Sequence, residues 1–254
     1  MSQLFRDSLA FRDTDEKWKD MRKVVSAAFY KEKIRKMMHI MKAQTVRQIK
    51  EWNKAIEMDG SGSAEIILKD GVQEINVRTI VTVAFGEDLS DHLINFKEKG
   101  QDKQIRVGFA FEKITNDMLQ RPANGLRGLT DRFDKLNFTQ FERETYFNSL
   151  SLREFVDKIA RKLASEYKGK EEKLLERGDL ISYLLYEFKD DYTLVIDQIV
   201  EFFVAATQTT VSTALNVMHH LMQSPESLNK LKQDFKKNFD VNYEEGTIKI
   251  EDLL

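Results

Sequence analysis

Six polar side chains, Thr207, Gln208, Thr209, Thr210, Ser212 and Thr213, stand inside an otherwise apolar run, IVEFFVAATQTTVSTALNVMHHLMQSPE, over 199–226. Threonines lose rotamer freedom in a helix, and their hydroxyls can bond back to carbonyls one turn earlier, which bends the backbone. A buried hydroxyl or amide without a partner costs roughly 1–3 kcal/mol. The run therefore predicts a buried helix with a wet, distorted centre, its oxygens served by a polar neighbour, water or a ligand.

A second pair could also do chemistry. Trp18 and Arg22 are four residues apart, so a helix points both the same way. An indole N–H is a donor only and a guanidinium offers a fork of donors, so together they can clamp an anion such as a carboxylate. The same spacing also suits a Trp anchored in the core beside an Arg that reaches a surface acid such as Asp15.

The stretch Ala205 to Thr210, AATQTT, resembles the central helix of cytochrome P450 monooxygenases, whose pattern is Ala/Gly-Gly-x-Asp/Glu-Thr-Thr. Ala205, Thr209 and Thr210 match it, whereas Ala206 replaces a glycine and Gln208 replaces the acid. Ser224, Pro225 and Glu226 follow, as in the family, to start the next helix. Upstream, EKWKDMRKVVSAAF over 16–29 is similar to the family's Trp-x-x-x-Arg helix, and GVQEINVRTIVTVAFGED over 71–88 ends in a matching Ala84, Phe85 and Gly86. That last glycine is equally the cap of any buried helix, because glycine takes the left-handed conformation cheaply.

The resemblance implies haem as cofactor. Trp18 and Arg22 would hold a propionate, and the small Ala205 and Ala206 would let a flat macrocycle approach the backbone. Glu201, Ala205 and Thr209 lie at steps of four with Val204 and Gln208 on the flank, so Val204 and Glu201 are expected at the substrate pocket. Thr209 matches the alcohol that relays protons to dioxygen. Gln208 stands in the acid's place and cannot release a proton at neutral pH, though its amide can hold a water. The implied partners are a small organic substrate, dioxygen and an electron-donating reductase. For a full-length form the resemblance implies the endoplasmic reticulum membrane surface.

The chain has 254 residues, 41% of them hydrophobic, enough for a sizeable core. Its net charge of −2, with 32% charged residues mixed in sign, gives no footprint for nucleic acid. There is no basic, apolar leader and no apolar run of eighteen, so the chain reads as soluble, with a membrane role only through an upstream anchor. Cysteine is absent, which excludes disulfides, zinc thiolates, cysteine nucleophiles and the thiolate that ligates iron in P450s. The four histidines, His39, His92, His219 and His220, are not placed to replace it, and no metal ligand is expected.

The family's Glu-x-x-Arg helix, aromatic-Arg segment and cysteine loop have no counterpart in this sequence. The expectation is a fragment: a single incomplete P450 domain over 1–254, without an axial ligand and inactive alone, from a parent that inserts one oxygen atom of dioxygen into an organic substrate. The alternative from another class is a non-catalytic all-α interaction or scaffold protein. It leaves the family order of the motifs unexplained.

The elements that must position these residues are mostly α, arranged as a partial cytochrome P450 fold. Caps at Asp13, Thr14 or Asp15 predict a helix to about Tyr30, and Lys31 to Ile56 a second with Ile34, Met37, Met38, Met41 and Ile49 as a core stripe. Gly60 to Ser63 mark a loop and 71–85 a helix. In 90–111 the resemblance implies helices that roof the substrate pocket. Arg121 to Leu126 read as a break, and 149–167 as a helix with Phe155, Ile159 and Leu163 periodic. The charged KGKEEKLLERGDL, 168–180, reads as a solvated face whose Gly178 and Asp179 cap ISYLLYEF. One long central helix at about 191–223 would span about 50 Å, and Ser224 and Pro225 start the next. From Phe239 on no regular element is expected.

Overall fold

The computed structural model describes residues 7–29, 31–120, 139–189 and 191–238; the break at Arg121 to Leu126 and the tail from Phe239 lie outside them. After a 3-10 turn at Leu9–Phe11 come α1 (Glu16–Ala27), α2 (Lys31–Asp59) and α3 (Leu68–Phe85). A hairpin of β1 (Leu93–Glu98) and β2 (Gln101–Arg106) follows. The rest is helical: α4 (Val107–Gln120), α5 (Gln140–Glu166), α6 (Lys173–Arg177), α7 (Leu180–Phe188), α8 (Tyr192–Gln223) and α9 (Pro225–Asn238). The chain is mostly α, as expected. It divides into two compact units, the first joining 1–29 with 80–208, the second 30–79 with 209–254.

The first unit is organised around aromatic rings brought from four helices. Phe203 of α8 stacks on Phe111 of α4 at 3.7 Å between centroids and on Phe85 of α3 at 5.6 Å, and Phe85 meets the edge of Phe155 of α5 at 5.7 Å. Phe85, Phe111 and Phe203 are almost wholly buried, as are Ile114, Leu152, Ile181, Leu184 and Ile199 of the same unit. Such rings bury more apolar area than any other side chains, so this cluster dominates the unit's burial. The helix starts are chemically specified. Asp15 accepts from the Trp18 N–H at α1, Asp179 from the Ser182 N–H at α7, and Thr139 and Glu142 form a reciprocal capping box at α5.

The region expected to hold pocket-roofing helices contains the antiparallel hairpin instead, with Leu93 opposite Arg106 and Glu98 opposite Gln101. Its first strand alternates, Ile94 and Phe96 in and Leu93 and Asn95 out. Lys99 and Gly100 both take positive φ, 53° and 80°, as a two-residue turn requires. The N–H groups of Lys99 and Gly100 donate to the Glu144 carboxylate, which steadies a lysine in a conformation it otherwise avoids. Asn148 of α5 pairs with both the N–H and the carbonyl of Lys97, at 2.7 and 2.9 Å, and so occupies backbone groups at the hairpin's edge.

The charged segment before α7 is not simply a solvated face. Arg177 donates to Asp179, to the Ser182 hydroxyl and to the Phe85 carbonyl, while Asp179 is buried. The reason is local: Gly178 turns the chain at φ 74°, and the buried acid that caps α7 needs a counter-charge, which Arg177 brings from the partly exposed side.

In the second unit, the Trp52 indole of α2 lies against Gly71 of α3, and Arg78 pairs with Glu51 and Glu74. Val72 and Val77 are buried. The core stripe expected on α2 is largely open: Ile34, Met41 and Ile49 are exposed, and Met37 and Met38 half-buried. α2 carries apolar groups around much of its circumference, so helical spacing alone does not say which face is covered.

Candidate functional site

Within the first unit's share of α8 the buried positions are both apolar and polar, the latter being Asp197, Gln198 and Thr207. Val195, Ile199, Val200 and Phe203 are buried, while Ala205 is exposed and Val204, Ala206 and Gln208 half-buried. By length and composition α8 could cross a bilayer, but half of its apolar window is buried inside the protein, as in the core helix of a folded domain.

The hydroxyl-rich centre does not break the helix, which runs without interruption through 192–223. Thr207 is buried and its hydroxyl bonds back to the Phe203 carbonyl at 2.5 Å; Thr213 does the same to the Thr209 carbonyl at 2.8 Å. Thr209, Thr210 and Ser212 are exposed. The hydroxyls' need for partners is met by back-bonding at Thr207 and Thr213 and by exposure at Thr209, Thr210 and Ser212.

Gln208 donates its amide N–H to the Asn116 side-chain oxygen of α4 at 2.8 Å. Glu201 accepts the Ala10 N–H at 3.0 Å, and Asp197, one turn before, accepts the Asp7 N–H at 3.1 Å. The two acids thus hold the segment that leads into α1. Thr209 is the first residue of α8 assigned to the second unit.

On α1 the Arg22 guanidinium lies 5.0 Å from the Trp18 ring centroid. Its planar cation is steadied by the indole face. The Trp18 ring N–H donates to the Leu9 carbonyl at 2.9 Å, so the exposed donor of the pair is Arg22. Asp15 is engaged by the Trp18 backbone N–H and by Arg12, which together hold its carboxyl below the ordinary range. Arg22 is thus left as a solvent-facing fork on an aromatic base, chemistry that fits a carboxylate guest.

Among the described residues no three of His, Cys, Asp and Glu gather where they could hold a metal ion. His92 packs its ring on Phe155 at 5.1 Å, and His219 bonds Gln223 at 3.0 Å.

The family model for cytochrome P450 matches residues 2–253. This chain belongs to the cytochrome P450 family. Its P450 fold is similar to a retinoic-acid-bound cyanobacterial CYP120A1, at 18% identity with a TM-score of 0.65, over 93% of this chain and 47% of that one. It is also similar to the haem domain of a mutant cytochrome P450DA, at 17% identity with a TM-score of 0.62, over 91% and 45%. The chain spans about half the length of these P450 structures. No curated protein matches the sequence.

Asn116, Arg153 and Arg177 escaped the sequence reading, as did the meeting of Arg177 with Asp179 beside Gly86. A signal for Arg153 existed in its partner, Asp197, an acid inside the apolar run LVIDQIV; Asn116 carried none, since nothing in α4 marks it out.

Proposed function

We propose that this chain is the part of a haem-thiolate monooxygenase that handles dioxygen and shapes the substrate space, the thiolate coming from outside residues 1–254. The observation that carries the reading is the exposed Ala205, followed by Gln208 and the exposed Thr209, at the family's motif position on α8. A residue with only a methyl group leaves room for a flat macrocycle against the backbone, and Arg22 is the donor suited to a propionate. Haem, when bound, supplies the iron that activates dioxygen.

The protein's own part is hydrogen bonding and proton supply. The Thr209 hydroxyl can donate and accept, so it can pass a proton between waters. Gln208 can hold a water but has no proton to give near pH 7, so delivery rests on Thr209 and solvent. Val204 and Glu201 would border the substrate, Glu201 chiefly by fixing the Ala10 backbone beside it. A small organic substrate and an electron-donating reductase complete the reaction. Alone, with no cysteine, the chain would not turn over.

A carbon monoxide difference spectrum of the protein expressed from its uninterrupted reading frame tests this. The thiolate–haem band is expected, with none from residues 1–254 alone; no band from the longer protein removes the assignment. In the loaded enzyme Gln208→Asp should raise product formed per dioxygen consumed, and unchanged coupling would count against the role given to position 208.

A further inference from the structure

We propose that Asn116 is the positioning residue for Gln208, fixing the amide so that its carbonyl oxygen is left as the hydrogen-bond acceptor of the site. This rests on the function proposed above. Gln208 Nε2 donates to Asn116 Oδ1 at 2.8 Å, between residues 92 apart in sequence. A glutamine amide presents a donor edge and an acceptor edge, and an unrestrained side chain exchanges them by rotation. An acceptor at Asn116 engages the donor edge only. With one Nε2 proton so engaged, Oε1 is held as the acceptor for water or a substrate donor.

The placement of Asn116 is itself constrained. Phe111, on the same helix, stacks on Phe203 of α8 at 3.7 Å, and Ile114 is fully buried. Thr115 is buried with its hydroxyl on the Phe111 carbonyl. α4 is thereby held to α8 within a few residues of the amide pair, so Asn116 meets Gln208 from a packed helix and not from a loop.

The pairing also gives a reason for glutamine where the family pattern has an acid. A carboxylate at 208 has no N–H for the Asn116 oxygen and would set oxygen against oxygen, so the pair as it stands is matched to an amide. The two amides form a matched set, and the site gains an oriented acceptor in place of a titrating group.

Three substitutions separate the elements of this proposal. Asn116→Asp keeps the acceptor, Asn116→Leu removes it, and Gln208→Leu identifies the Gln208 side-chain NH2 signals in a nitrogen–proton correlation spectrum by their loss. Exchange of those NH2 protons with water should be several-fold faster in Asn116→Leu than in the parent and unchanged in Asn116→Asp. Equal exchange in the parent and both Asn116 variants, or fast exchange in Asn116→Asp, would overturn the proposal.

If Asn116→Leu does not fold, Asn116→Ala takes its place. In a thermal-melt cycle of that variant with Gln208→Leu, the shifts should be non-additive, and strict additivity overturns the pairing. In the haem-loaded enzyme, loss of the acceptor should lower product per dioxygen consumed several-fold, with the coupling restored in Asn116→Asp. An intact exchange pattern without a thiolate band would defeat the monooxygenase reading and leave the amide pair standing. A band with unaltered exchange in Asn116→Leu would do the reverse.

Discussion

Asp197 of α8 and Arg153 of α5 form an ion pair almost entirely withdrawn from water, with Asp197 fully buried. Asp197 also accepts the Asp7 N–H, so one carboxylate ties α8 to α5 and to the segment before α1. Removing one partner of a buried pair leaves an uncompensated charge, whereas replacing both with apolar groups of similar volume can be close to neutral. Asp197→Asn or Arg153→Met alone should lower unfolding stability by about 3–5 kcal/mol. Arg153→Met with Asp197→Leu should recover most of it. Urea denaturation checks both, and additive losses in the double variant would show that the pair is not the source.

Glu98 at the end of β1 sits between the ammonium groups of Lys103 and Lys113, whose hydrogen bonds hold its carboxyl down from 4.5 to about 2. A depressed folded value contributes stability that is present above the ordinary 4.5 and is lost as pH falls toward about 2. Asp117 on α4 runs the other way: burial raises its carboxyl, so its charged form costs stability once pH exceeds its ordinary value. Melting temperatures across pH 2–7 should show Glu98→Gln flattening the acid-side loss, and Asp117→Asn raising stability near pH 7. Glu98 is partly exposed, so salt should shrink its effect.

Gly86 closes α3 at φ 80°, and a Cβ there would stand 2.7 Å from a carboxylate oxygen of Asp179 and 3.0 Å from Arg177 Nη2. Gly86→Ala therefore combines a left-handed conformation, which costs an L-residue about 1–2 kcal/mol, with displacement of the acid that caps α7. The variant should melt lower than the parent. The loss should shrink in an Asp179→Ser background, where a smaller cap remains; an equal loss in both backgrounds would assign all of it to backbone conformation.

These relationships mark how far the sequence could be read. Helix starts were legible because they depend on one side chain and the next few backbone groups, as at Asp15, Asp179 and Ser224. The motif positions on α8 were legible for the same reason, since a helix fixes the spacing of Ala205 and Thr209. The hairpin was not, although Ile94 and Phe96 alternate, because its turn is Lys-Gly and is held by Glu144, more than forty residues on. Gly86 and Asp179 each read correctly as a cap, yet their contact through Arg177 exists only in three dimensions. Asn116 is the extreme case. Its meaning lies wholly in its partner.

Gly71 poses a sign question in the second unit. Inside a helix, replacing glycine by alanine ordinarily gains roughly 0.5–1 kcal/mol through the unfolded chain's lost freedom. Here a Cβ would meet Trp52 Cζ2 at 2.2 Å and Cε2 at 2.7 Å, closer than any real contact, and the obstacle is a rigid ring. The steric term should win, because an indole wedged on the helix backbone can move only by losing its packing. Gly71→Ala should lower the melting temperature by several degrees. In a Trp52→Ala background, which removes the ring, the same change should be neutral or stabilising. Thermal melts of the four proteins check the reversal, and destabilisation of equal size in both backgrounds would place the cause elsewhere than at the Trp52 ring.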